Sequence, residues 1–146
     1  MNAESEQGVF FHVEETDFSL PNEKKIANWV EQCVTQHQKK IGSLNVIFCT
    51  DEYLLELNKS HLNHDYYTDI ITFDYCEENL VSGDLFISIE RVQDNAAKLT
   101  LSEEKELHRV IIHGVLHLLG LNDKTEQDKV MMRAKEDELL ALLPHK

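Results

Sequence analysis

Membrane-length apolar runs are missing from this sequence, and so is the basic start with a following apolar stretch that marks a secretory leader. The opening Met1-Asn2-Ala3-Glu4-Ser5-Glu6 is instead polar and acidic. These absences argue against a helical membrane span and point to the cytoplasm. Cysteine is scarce. Cys33, Cys49 and Cys76 are odd in number, scattered and without C-x-x-C spacing. That excludes a disulfide framework and reads as buried thiols in a reducing compartment. Proline occurs only at Pro21 and Pro144, so no Pro-rich linker divides the 146 residues. With no repeat and no low-complexity tract either, residues 1–146 are expected to form one domain. Positive charge is also short: 14 Lys and Arg stand against 27 Asp and Glu, for a net charge of −13. Such a surface repels nucleic acid at long range. It argues against DNA as a partner. An RNA substrate would have to be met through a local basic patch, a bound metal or a protein partner.

What is present suffices for a core, since 42% of the residues are hydrophobic. Val9 to Val13 reads as a first strand. Ile26, Trp29, Val30, Cys33 and Val34 recur at helical spacing and predict an amphipathic helix from about Asn22 to Lys40, broken by Gly42-Ser43. Leu44 to Cys49 predicts a second strand, and Tyr53, Leu54 and Leu57 a short helix capped by Thr50 or Asp51. After the polar turn Asn63-His64-Asp65, Thr68 to Phe73 and Gly83 to Ile89 read as two more strands. Val92, Ala96 and Leu99 mark a third helix, and a fourth is expected from Thr100 or Ser102 to Leu119, ended by Gly120. The last helix, from about Thr125 to Leu143, carries Val130, Ala134 and Ala141 on one side. The order β-α-β-α-β-β-α-α-α predicts an α+β fold: a four-stranded mixed sheet packed with about five helices, with the chemistry-bearing helix in the C-terminal part.

That chemistry lies in His113-Gly114-Val115-Leu116-His117-Leu118-Leu119-Gly120-Leu121-Asn122-Asp123. His113 and His117, four apart on a helix, share one face, so both imidazoles reach a single ion. Gly120 can take the left-handed conformation that ends a helix, and the chain then returns Asp123 as a third ligand. Two His and one carboxylate, with a fourth position left for water, is the pattern of a catalytic zinc site rather than a closed structural one. The His pair alone is a weak signal in a chain with eight His; the full H-x-x-x-H-x-x-G-x-x-D pattern is much stronger. Another divalent ion could occupy the same donors. Asp69 and Asp84 are candidates either to orient the imidazoles or to cap turns. Trp29 reads as core, and Lys24-Lys25 and Lys39-Lys40 read as solvated helix ends.

The spacing resembles that of the metzincin proteases, H-E-x-x-H-x-x-G-x-x-H/D, but their general-base Glu would fall at Gly114, which has no side chain. A closer resemblance is to the YbeY family, the rRNA maturation endoribonucleases, whose hallmark H-G-x-L-H-L-x-G is matched by His113 to Gly120. Leu57-Asn58, Thr68-Asp69-Ile70-Ile71-Thr72-Phe73 (similar to T-D-V-L-S-F) and Gly83 to Ile87 are similar to that family as well. The resemblance implies a single-strand-type, metal-dependent endoribonuclease in 16S rRNA 3′-end maturation and ribosome quality control. It implies ribosomal RNA and ribosomal particles or proteins as partners. The alternatives are a ribosome-associated metal-binding factor without a catalytic role and a metalloprotease-like hydrolase. In this chain the family's usual third ligand, a His, is replaced by Asp123, and the arginine usual after Leu-Asn aligns with Leu62. Lys59 and His64 are candidate phosphate contacts in its place, with His61 and Lys124 also nearby.

Overall fold

The computed structural model describes residues 7–63 and 67–143. Its elements follow the expected order: β1 (Gly8–Glu14), α1 (Glu23–Gln36), β2 (Lys40–Cys49), α2 (Asp51–Leu62), β3 (Ile70–Asp74), β4 (Leu80–Ser88), α3 (Ile89–Leu99), α4 (Glu103–Leu118) and α5 (Glu126–Leu140). The strands form one sheet in the order β1-β2-β4-β3. β1 and β4 pair parallel to β2, and β3 runs antiparallel to β4, so the sheet is mixed and the fold α+β. No helix among the described residues is long and apolar enough to cross a membrane.

Strand alternation gives the sheet two apolar faces. Leu44, Val46 and Phe48 of β2 and Val81, Leu85 and Ile87 of β4 enter the main core with Ile26, Trp29 and Val30 of α1 and Ile111, Ile112, Val115 and Leu116 of α4. Cys49, Ile71, Phe73 and Phe86 turn the other way and pack with Leu54 and Leu57 of α2 in a smaller cluster. The edge strand β3 therefore lies beside α4, and this placement makes the site.

Two expectations are corrected and one open choice is decided for Ser102. The first helix stops at Gln36, four residues short of Lys40. Gln38 takes a left-handed φ of 61°, and the chain swings into β2, where the Lys40 N–H donates to Asn79 O at 2.8 Å. Lys39-Lys40 is thus a strand entrance rather than a helix end, and Gly42-Ser43 lies within β2 at a register shift. The fourth helix is capped by Ser102, whose side chain accepts from the Lys105 N–H; Thr100 ends α3 instead. On α5 the buried side is Met132, Glu136 and Leu139, while Val130 is 68% exposed. The expected face of Val130, Ala134 and Ala141 is the wrong one, because a charged residue occupies a core position for the reason given below.

Candidate metal centre

The long helix α4 carries the site on the side facing β3. It starts with the Ser102 cap and three acidic residues in its first turn, matching the positive end of the helix dipole. It ends because Gly120 adopts φ 103°, letting the Leu121 N–H reach back to Leu116 O at 3.0 Å. Gly114 sits where the helix approaches the sheet most closely: a Cβ there would stand 2.7 Å from Ile70 Cδ1 and 3.0 Å from Leu85 Cδ2. Glycine at the histidine motif thus lets helix and sheet pack closely, and any side chain at this position would have to push the ends of Ile70 and Leu85 aside.

His113, His117 and Asp123 come together. Their facing atoms form a near-equilateral triangle: His113 Nε2 to His117 Nε2 is 3.1 Å, and Asp123 Oδ2 lies 3.3 Å from each. The outer nitrogens define the tautomers. His113 Nδ1 donates to Glu136 Oε2 at 2.6 Å, and His117 Nδ1 donates to the Leu121 carbonyl at 3.0 Å. With both rings neutral, each Nε2 presents a lone pair to a carboxylate oxygen that also only accepts. Three acceptors facing one another repel unless a metal ion or a proton lies between them. Donors about 2.0–2.1 Å from a tetrahedral ion stand about 3.3–3.4 Å apart, close to the triangle observed. The residues fit a divalent metal.

Glu136, missed in the sequence, is the carboxylate that holds a ligand imidazole. Its side chain is 2% exposed, and it also accepts from Arg109 Nη1 at 3.2 Å. Burial alone would raise the Glu136 pKa, but the hydrogen bond and charge of His113 and the Arg109 guanidinium outweigh it, so Glu136 is held below its ordinary value. For His113 burial pulls downward, and the Glu136 hydrogen bond and charge, with Asp123 and Asp69, win and raise it. Asp69 and Asp84 touch neither imidazole by a hydrogen bond; they accept from Asn95 and Asn45, at 3.2 Å each. A signal for Glu136 was available: it shares its helix face with Met132 and Leu139, an acid in an apolar row.

The triangle opens into a groove of about 640 Å³ walled by β3, by Asn58 and Leu62 of α2, and by Lys124. Leu62, the position of the missing arginine, lines this groove. Lys124 is the one lysine or arginine on its wall among the described residues, beside Asp69, Asp74 and Asp123. Lys59 does not line it; that side chain is exposed and pairs with Glu56 at 3.6 Å. His61 packs edge-on against Phe73. His64 lies outside the described residues.

Fold and site together define a class: an α+β protein with two helical histidines and a loop aspartate close enough together to hold a metal ion, on the wall of a groove. The particular family follows from comparison. The chain belongs to the endoribonuclease YbeY family, whose profile matches residues 11–144. It is 49% identical over 138 residues to the endoribonuclease YbeY of Cytophaga hutchinsonii, covering 94% of this chain and 96% of that protein. It is 49% identical to the Flavobacterium johnsoniae protein of that name, over 88% of this chain and 92% of the relative. The match to the Bacteroides fragilis protein of that name is 50% identical, over 84% and 90%. A solution structure from Thermotoga maritima is similar with a TM-score of 0.63 at 25% identity, over 92% of this chain and 90% of that one.

Proposed function

We propose that this chain is a zinc-dependent endoribonuclease that cuts single-stranded RNA during ribosomal RNA maturation, acting as one domain in the cytoplasm. The observation that carries the metal part is the triangle of three lone pairs, 3.1 to 3.3 Å on a side, at the mouth of a groove. The family supplies the nuclease part. Zinc suits two imidazoles and one carboxylate better than the all-oxygen ions magnesium and calcium. When bound, the ion supplies Lewis-acid charge for phosphoryl chemistry.

The chain's own residues do the rest. His113 and His117 are locked as Nδ1–H tautomers by Glu136 and the Leu121 carbonyl, so each offers Nε2 without rearrangement. Asp123 completes the donor set and lowers the net charge at the centre. Lys124, on the groove wall, takes the place of the missing arginine in facing a phosphate; Lys59 lies off that wall. Gly114 offers no proton acceptor.

The charge balance shapes the partner. With −13 overall and three aspartates against one lysine on the groove wall, contact with free RNA is weak. The substrate is therefore met on a ribosomal particle, where other surfaces hold the protein in place. The test is cleavage of labelled single-stranded RNA, free and within small-subunit particles, by purified protein with zinc restored. The reading expects chelator-sensitive cleavage, faster on the particle and lost in His117→Ala. Cleavage that survives His117→Ala overturns it.

A further inference from the structure

Behind His113 lies a chain of buried charges that metal ligation alone does not require. Glu106 on α4 is fully buried and holds Arg109 by both arms of its fork, at 2.9 Å to Nε and 2.7 Å to Nη2. The remaining arm, Nη1, reaches across to Glu136 on α5 at 3.2 Å. The other oxygen of Glu136 takes the Nδ1–H of His113. Arg133 approaches Glu136 from the exposed side at 3.8 Å, where solvent screens it. The unit is one continuous hydrogen-bonded path from Glu106 to His113 Nδ1, the ring nitrogen opposite the metal-facing Nε2, and it bridges two helices.

Its charge count is uneven. Two buried carboxylates share one largely buried guanidinium, and the second cation, Arg133, stands half exposed at 3.8 Å, so with His113 neutral the buried part of the unit carries excess negative charge. Isolated buried charge is costly. A cation on the far side of the His113 ring offsets that charge, with the imidazole between them. Topology adds a second consequence. Asp123 lies in the connection between α4 and α5, so a bridge that pins α5 onto α4 also constrains where that connection runs.

We propose that Glu106, Arg109 and Glu136 form a positioning unit for the metal centre, which orients His113 and couples metal affinity to the docking of α5 on α4. The inference rests on the metal reading above and goes beyond it by assigning three residues that touch no metal. Arg109 is the joint of the unit: Glu106 presents it, and it presents Glu136. Lysine has no such fork and cannot serve both carboxylates with the same geometry.

Zinc affinity measured by competition with a chromogenic chelator tests this, on wild type, Glu136→Gln, Arg109→Lys and Arg109→Met. Glu136→Gln keeps the size but removes the charge and one of the two acceptors, so Arg109 or His113 loses its partner; it is the variant to rely on if Arg109→Met fails to fold. The expected result is a loss of zinc affinity of about 10- to 100-fold in Glu136→Gln. Arg109→Met is expected to lose affinity too, and Arg109→Lys to recover part of it. Two further readouts separate positioning from mere support. The His113 Nδ1–H resonance shifts in Glu136→Gln. The rise in melting temperature that saturating zinc gives wild type shrinks in the variants, whereas a purely structural bridge lowers the melting temperature equally with and without zinc. Folded Glu136→Gln with wild-type zinc affinity and an undiminished zinc-induced rise overturns the inference and leaves the metal site standing. A wild type that binds no zinc overturns the metal reading itself.

Discussion

Gly114 and Ile70 meet so closely that a Cβ on residue 114 would lie 2.7 Å from the isoleucine Cδ1. The contact joins the helix that carries His113 and His117 to the edge strand that walls the groove. Gly114→Ala gains about 1 kcal/mol of helix propensity. It pays for overpacking against Ile70 and Leu85, at about 1–3 kcal/mol. The net expectation is a modest loss of stability, with α4 displaced from β3. Urea unfolding checks it, and Gly114→Ala as stable as wild type with unchanged zinc affinity would show that the close approach is not needed.

Asp123 closes the triangle from a connecting segment, with Oδ2 at 3.3 Å from both imidazoles. Asp123→Ala leaves two ligands from one helix and is expected to lose about a hundredfold or more in zinc affinity, more than a group that only orients a ligand. Asp123→His restores a third donor and is expected to keep the metal. Chelator competition measures both. Undiminished affinity in Asp123→Ala would place the third ligand elsewhere.

His108 provides a pH test away from the metal. It is 8% exposed and packs edge-on against Trp29 at 6.0 Å. Burial lowers its pKa below the ordinary 6.5; Glu104 opposes and Lys25 assists, and the net direction is down. The folded protein therefore keeps His108 neutral where the unfolded chain has begun to take up a proton. Its contribution is fully present above pH 6.5 and is lost as pH falls from there through the folded-state value. This one group steepens the acid-side slope by at most about 1.4 kcal/mol per pH unit. Unfolding free energies measured from pH 7.5 downward should fall less steeply in His108→Phe than in wild type, and equal slopes would refute the assignment.

The thiols give a simpler check. Burial pushes Cys33 up to about 12, and burial with the charges of Asp51, Glu14 and Glu15 does the same for Cys49. Cys76 is only partly buried, and burial raises its pKa as well. Iodoacetamide at pH 8 should modify Cys33 and Cys49 only after unfolding, with Cys76 the first to react in the native protein. Rapid labelling of Cys33 in the folded state would contradict the packing described for α1.

The sequence was most legible where one physical rule acts locally. The i, i+4 spacing of His113 and His117 and the glycine terminator at Gly120 brought Asp123 into the cluster with no knowledge of the sheet. Gly114 was legible as a missing base but not as a close approach, because Ile70 is far away in sequence. Glu136 was legible as an acid in an apolar row, but its partners were not, for a related reason. An acid on an amphipathic helix is ordinarily assigned to the solvent face, and only the fold shows that Arg109 and His113 wait for it across the helix interface. The same error turned α5 the wrong way, toward Val130. The end of α1 was misjudged because Gln38 takes a left-handed φ that its residue type does not advertise.

The central claim is that three lone pairs converge on one ion. Elemental analysis of purified wild type beside His113→Ala/His117→Ala tests it most directly. Wild type should carry about one equivalent of zinc, or of another divalent ion, per chain and the double variant none. A double variant that retains the wild-type metal content would contradict it.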